Sequence, residues 1–130
     1  MAYDDRLWKA FSEFIRIRDA KEVSGLCTCF TCGRVRHWKE VDCGHGIGRQ
    51  HKATKYNERN NHAQCKACNG FEGGRREVYK MEVDKRYGAG TWDTLEVLSR
   101  GVCKRGKFEI DALTKHYQEE AQKLKKLKGL

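Results

Sequence analysis

Two cysteine pairs, Cys29/Cys32 and Cys65/Cys68, each leave two residues between partners, and they bracket the segment Asp42-Cys43-Gly44-His45. Asn69 follows the last cysteine directly. Thiolates separated by two residues on a tight turn converge on one ion, and two such turns complete the tetrahedron of a structural zinc. Cys27 competes with Cys29 for the first position; Cys29 is preferred because its spacing to Cys32 repeats that of Cys65 to Cys68. Thirty-two residues separate Cys32 from Cys65, against ~15–20 in an ordinary zinc ribbon. The inserted stretch is rich in hydrolytic chemistry, and zinc at its two ends would staple a small hairpin-and-helix unit around it.

Hydrolysis of a phosphodiester needs a base for water, a cation on the phosphate oxygens and help for the leaving 3′ oxygen. His45 is the candidate base. The carboxylate of Asp42 and the amide oxygen of Asn69 are hard ligands for Mg²⁺ or Mn²⁺, and two protein ligands leave positions for water and substrate. Asp42 and His45 are three residues apart, so a regular strand turns them to opposite faces; both serve one site only if Gly44 bends the strand. Arg49, Lys52 and Lys55 recur at three-residue intervals, with His51 among them, as in a phosphate-facing loop or short helix.

The elements that position these residues are legible in the periodicity. At 130 residues the chain has the size of one domain, spanning 1–130, with room for one small core. Apolar content of 38% against 35% charge makes a metal a natural supplement to that core. Leu7, Trp8, Phe11, Phe14 and Ile15 predict a helix over 5–22, capped by Asp4 or Asp5, with its aromatic stripe in the core; Gly25 ends it or lies in the following loop. Val35–Val41 forms a short strand entering Asp42, with Trp38 in the core and His37 at the surface, and residues 60–64 form the return strand. Asn69 or Gly70 opens a helix that Gly88 ends, closing a core over 26–88. A helical extension over 91–130 comprises a short helix capped by Thr91 carrying Trp92, Leu95 and Leu98, then a helix with Ile110, Leu113, Tyr117, Ala121, Leu124 and Leu127 on one face. The fold class is α+β.

A net charge of +9 points to a polyanionic partner, nucleic acid first. Seven cysteines exclude a fully paired disulfide framework and fit a reducing compartment. Residues 1–5 lead into a charged amphipathic pattern and no apolar run approaches ~18 residues, so a soluble, cytoplasmic protein is expected.

The segments Leu7-Trp8, Ile15-Arg-Ile-Arg-Asp-Ala20, Phe30-Thr-Cys-Gly33, Trp38-Lys-Glu, Asp42-Cys-Gly-His45, Ala53-Thr54, Asn57-Glu-Arg-Asn60, Gln64-Cys-Lys-Ala-Cys-Asn69, Tyr79 and Tyr87-Gly88 occur in one order. Together they resemble the bacteriophage NinG/Rap recombination family over residues 7–98, leaving the C-terminal thirty residues uncovered. The resemblance implies a zinc-stapled ββα-metal (HNH, His-Me finger) nuclease acting on branched recombination intermediates such as Holliday junctions and D-loops, in the host cytoplasm if phage-encoded. The core is also similar to that of phage T4 endonuclease VII, and this implies Asp42 and Asn69 as metal ligands and His45 as catalytic base. Asn60 falls on the middle Asn of the HNH pattern, whose part is to brace the loop. Asn69 in the last position makes the pattern HNN.

Two positions depart from the family pattern. Gly46 stands where an aromatic usually follows the His, and Cys43, read as a buried inert thiol, stands where endonuclease VII has another histidine. His51 and His62 are weak candidates for that second histidine, and His62 reads better as structural. A homodimer would place two sites on a four-way junction, and the apolar face of 110–127 would either supply its interface or pack back onto the chain's own zinc core. The rival function is a zinc-dependent DNA-binding module without catalysis; it accounts for cysteines and charge, though not for the joint presence of Asp42, His45 and Asn69.

Overall fold

Leu7, Phe11 and Ile15 recur at helical spacing and are fully buried on one face of the first helix, α1 (Tyr3–Arg18). Burying each such side chain contributes about 1.5–3 kcal/mol. The computed structural model describes residues 3–130. The helix starts before the expected cap: Asp4 and Asp5 lie in its first turn, where they favour the positive end of the helix dipole. It also stops earlier, at Arg18, because the chain turns back to bridge Ala20 to Cys27.

Two small antiparallel hairpins follow. The first pairs β1 (Leu26–Thr28) with β2 (Val35–His37), with Leu26 opposite His37. The second pairs β3 (Asp42–His45) with β4 (Asn61–Gln64), running from Asp42 opposite Gln64 to His45 opposite Asn61. A short helix, α2 (Lys52–Lys55), lies in the loop between them. The strand expected over 35–41 is therefore split: the chain turns at Trp38–Val41, with Trp38 buried as expected and His37 half-buried.

After β4 the chain makes one wide turn of π-helix (Ala67–Phe71) and then breaks. Gly73, Gly74 and Arg75 all take positive φ (61°, 86° and 51°), which no helix continues through. The single helix expected from residue 69 or 70 is thus two elements, and α3 (Arg76–Tyr87) ends at Gly88 with φ 113°. In α4 (Thr91–Ser99) Thr91 is the first helical residue and does not cap; the exposed N-terminus is met by Asp84 of α3, whose Oδ1 accepts from Trp92 N at 2.8 Å. Of the apolar residues expected on α4, Trp92 and Leu95 are buried and Leu98 is exposed.

The last helix, α5 (Lys107–Lys128), lies along α1. Its Tyr117 ring packs edge-on to Phe11 at 4.9 Å and against Phe14 at 5.1 Å, and Ile110 and Ala121 are buried in the same cluster. The apolar face considered for a dimer interface is consumed within the chain, except Leu127, which is exposed. Phe30, Ile47, Tyr79, Val83, Trp92 and Leu95 form a second apolar cluster behind β3 and β4. No helix among the described residues is long and apolar enough to cross a membrane.

Candidate metal centre and cleft

The two hairpins each end on a cysteine turn, and this brings the four predicted sulfurs together. The Sγ atoms of Cys29, Cys32, Cys65 and Cys68 all lie within 4.8 Å of one another. A tetrahedral zinc with ~2.3 Å bonds requires sulfurs about 3.8 Å apart, and Cys32 and Cys65 stand at 3.6 Å. Cys29 N donates to Arg34 O and Gly33 N to Cys29 O, with Gly33 at φ 79°, which closes the first turn. Burial alone would raise the Cys29 thiol, yet backbone N–H groups, Cys65 N foremost at 3.2 Å, hold it down at about 6. Burial and the hydrogen bonds from the other three sulfurs push Cys32 up to about 12. Four sulfurs this close cannot all be anionic without a cation among them, so the cluster fits a zinc ion. Cys27 is excluded from it: its thiol is buried in the α1 cluster and reaches Arg16 O at 3.3 Å.

The second cysteine turn sets Asn69 over the start of β3. Its backbone N donates to Cys65 O at 2.9 Å, and its side-chain Nδ2 donates to Asp42 Oδ2 at 3.0 Å. Rotating the amide would present its oxygen at the same place, beside the carboxylate. Asp42 Oδ1 is paired with the Lys66 ammonium at 2.7 Å. A cleft of about 480 Å³ opens here, with Asp42, His45 and Asn69 all in its wall. Gly44 does not bend the strand, as the ladder runs unbroken through it; Asp42 and His45 reach the cleft from the two ends of β3. Gly44 is needed for a different reason: a Cβ there would meet the Gln64 side chain at 2.0 Å.

Burial, and secondarily the Arg49 charge, hold the His45 imidazole below its ordinary pKa, so it is neutral near pH 7. Its Nδ1 is buried without a hydrogen-bond partner in the protein, which costs about 1–3 kcal/mol unless something else meets it. A second depression of about 280 Å³, bordered by Gly73, Gly74 and Arg76, shares His45 and Asn69 with the first. With the Asn69 amide turned, its oxygen and the Asp42 carboxylate, beside a neutral imidazole and several cations, would suit a hard divalent ion and an anionic substrate.

Residues 1–129 match the family described as Bacteriophage Lambda NinG protein. The chain belongs to the NinG family. It is similar to the protein ninG of Escherichia phage lambda, at 29% identity over 127 aligned positions that take in 93% of this chain and 55% of the relative. The chain therefore spans about half the length of that curated relative. No solved structure matches. The NinG likeness runs beyond residue 98, where the segment-by-segment resemblance stopped, and takes in α5.

In this NinG chain the expected bracing residue Asn60 is fully buried in the loop between α2 and β4, and it reaches across to the loop that follows β3. Its Oδ1 accepts from Ile47 N at 2.8 Å, and its Nδ2 donates to Ile47 O and Thr54 O at 3.0 and 3.2 Å. The gap opened by Gly46 is filled from elsewhere, since a Cβ there would lie 2.6 Å from the Trp92 ring and 2.9 Å from that of Tyr79. His62 is buried away from the cleft: it stacks on Phe30 at 3.8 Å and bonds the Tyr79 hydroxyl at Nδ1 and the Tyr87 hydroxyl at Nε2. Tyr79 in turn donates to Gly44 O at 2.9 Å, so its oxygen accepts from His62 Nδ1–H. Cys43 is a buried thiol pushed up to about 12, chiefly by burial. His51 is exposed and outside the cleft wall.

Of the three expected phosphate contacts, only Arg49 lines the cleft. Lys52 is exposed on α2, and Lys55 points inward, its ammonium 2.5 Å from Asp4 Oδ2. Cations that sequence reasoning passed over replace them: Arg16, Lys39 and Lys66 all line the cleft. A signal for one group existed, since Trp8, Ser12 and Arg16 follow one another at four-residue steps along α1 and line the same wall.

Proposed function

We propose that this NinG-family chain is a metal-dependent DNA endonuclease with a zinc-stapled ββα-metal core, cutting branched recombination intermediates in the host cytoplasm. The convergence of Asp42, His45 and Asn69 on one cationic cleft is the observation that carries this reading. The β3–β4 hairpin followed by the cysteine turn and α3 supports the ββα assignment.

Asp42 and the Asn69 amide oxygen would hold Mg²⁺ or Mn²⁺, which when bound supplies charge stabilisation at the phosphate and the leaving oxygen. His45, neutral near pH 7, takes a proton from water as the water oxygen bonds to phosphorus. The bond from phosphorus to the 3′ oxygen breaks, and that oxygen takes its proton from solvent. Arg49 and Arg16 orient the phosphate backbone along the cleft. Asn60 holds the loop after β3, and Tyr79 pins the strand from behind.

Labelled linear, nicked, forked and four-way DNA, incubated with zinc-loaded protein with and without Mg²⁺ or Mn²⁺, tests the reading. Cutting that requires the divalent ion and favours branched substrates is expected, with His45→Ala abolishing it while DNA binding stays. Protein that binds all four DNAs and cuts none identifies a binding module instead. A His45→Ala variant that cuts like the parent removes His45 from the mechanism.

A further inference from the structure

Trp8 belongs to the aromatic stripe of α1, yet its ring is only half-buried and forms part of the cleft wall that also holds Asp42, His45 and Asn69. From behind it is held by Phe11, with ring centroids 6.0 Å apart, and by Tyr56 at 6.1 Å. Tyr56 is itself fixed, its hydroxyl donating to Asp4 Oδ1 at 2.7 Å. Over the ring lies the guanidinium of the exposed residue Arg49, 4.6 Å from the centroid. Core packing alone does not require a tryptophan here, because Trp8 only flanks the stripe that Leu7, Phe11 and Ile15 already bury. A rigid aromatic face, a planar cation and surrounding lysine and arginine side chains are the components with which proteins hold an unstacked base of a nucleic acid strand.

We propose that Trp8 and Arg49 form a stacking subsite for one unpaired nucleobase next to the cleavage position, the exposed Arg49 side chain swinging off the indole face to let the base lie against it. The inference rests on the cleft being the nucleic-acid site. A base within a duplex is stacked on its neighbours and cannot lie against a side chain in a cleft wall; the first unpaired base at a fork or branch can. The subsite therefore selects DNA carrying an unpaired nucleotide beside the cut, and Arg49 serves both the base and its phosphate.

Equilibrium binding without divalent ion tests this separately from cleavage. The probes are a forked duplex, the same fork with single abasic positions in turn at its first four unpaired nucleotides, and the fully paired duplex. In the parent, one abasic position should weaken fork binding about 5- to 150-fold, corresponding to ~1–3 kcal/mol per stacked base. Trp8→Leu, which keeps apolar packing and removes the aromatic face, should bind the intact fork as weakly as the parent binds that abasic fork and show no further loss there. Trp8→Phe should stay within about threefold of the parent. Duplex affinity should be equal in all three proteins, and zinc content and thermal melting confirm that each is folded. The proposal is overturned if folded Trp8→Leu binds the fork like the parent, if fork and duplex affinity fall by the same factor, or if no abasic position matters. A parent that shows the abasic effect but never cuts with Mg²⁺ or Mn²⁺ leaves the subsite standing and removes the nuclease reading; a parent that cuts without the abasic effect does the reverse.

Discussion

Lys66 Nζ lies 2.7 Å from Asp42 Oδ1, so one of the two residues between the second pair of zinc-type cysteines neutralises the carboxylate proposed for the catalytic ion. The lysine is 68% exposed at its side chain, and exposed pairs contribute about 0–1 kcal/mol. Ammonium and divalent cation compete for the same oxygen. Lys66→Gln should therefore bind Mn²⁺ up to about fivefold more tightly in a calorimetric titration, while Asp42→Ala and Asn69→Ala bind it far more weakly. Unchanged Mn²⁺ affinity in Lys66→Gln would show that the pair does not gate the site.

One zinc per chain is expected by elemental analysis. Serine at Cys29, Cys32, Cys65 or Cys68 should abolish it and unfold the hairpins, because in small sites of this kind binding is worth about 10 kcal/mol or more and that energy is folding energy. Cys27→Ser, Cys43→Ser and Cys103→Ser should keep the metal, since their thiols lie outside the cluster. Zinc lost from Cys27→Ser and retained in Cys29→Ser would reverse the ligand assignment.

The pairing of the cysteines, the nearness of Asp42 to Asn69 and the structural role of His62 were legible because each depends on spacing or on local strand geometry. What escaped depended on contacts between distant segments. Lys55 belongs to a basic run by sequence, but Asp4, fifty-one positions away, claims its ammonium. Trp8 is indistinguishable from Leu7 in a hydrophobic pattern; which of them faces a cleft is decided by where α5 covers α1. The break before α3 follows from two glycines and a left-handed arginine, a cue present in Gly73-Gly74 but outweighed by the apolar periodicity around it.

His62 is held at about 2, chiefly by burial and secondarily by the Arg18 and Arg86 charges, so it stays neutral when folded. The unfolded chain takes up a proton near pH 6.5, and below that the unfolded state binds more protons. Stability from this residue is fully present above pH 6.5 and falls with acid by about 1.4 kcal/mol per pH unit. Urea unfolding between pH 5.5 and 7.5, with zinc content followed in parallel, should show this slope. His62→Gln should be less stable at pH 7.5 and should lose most of the slope; a slope equal to that of the parent would assign it to other groups.

The C-terminal lysines test whether α5 serves DNA or the fold. Lys128 donates to the carbonyls of Ile17, Arg18 and Ala20 at 2.9, 2.8 and 2.7 Å, meeting carbonyl oxygens at and just beyond the end of α1, and Lys125 pairs with Glu13 at 2.7 Å. A cation at a helix C-terminus that also satisfies three carbonyls contributes about 1–2 kcal/mol. Lys128→Met should lower the thermal midpoint and leave the salt dependence of DNA binding unchanged, whereas a phosphate contact would reduce that slope by about one. Removing residues 107–130 is a harsher test. It strips Tyr117 and Ile110 from Phe11 and Phe14, so the shortened chain should lose cooperative unfolding even with zinc present. A truncated protein that still melts sharply and cuts forked DNA would show that the zinc hairpins and α1 hold together without α5, and would free its lysines for a role on DNA.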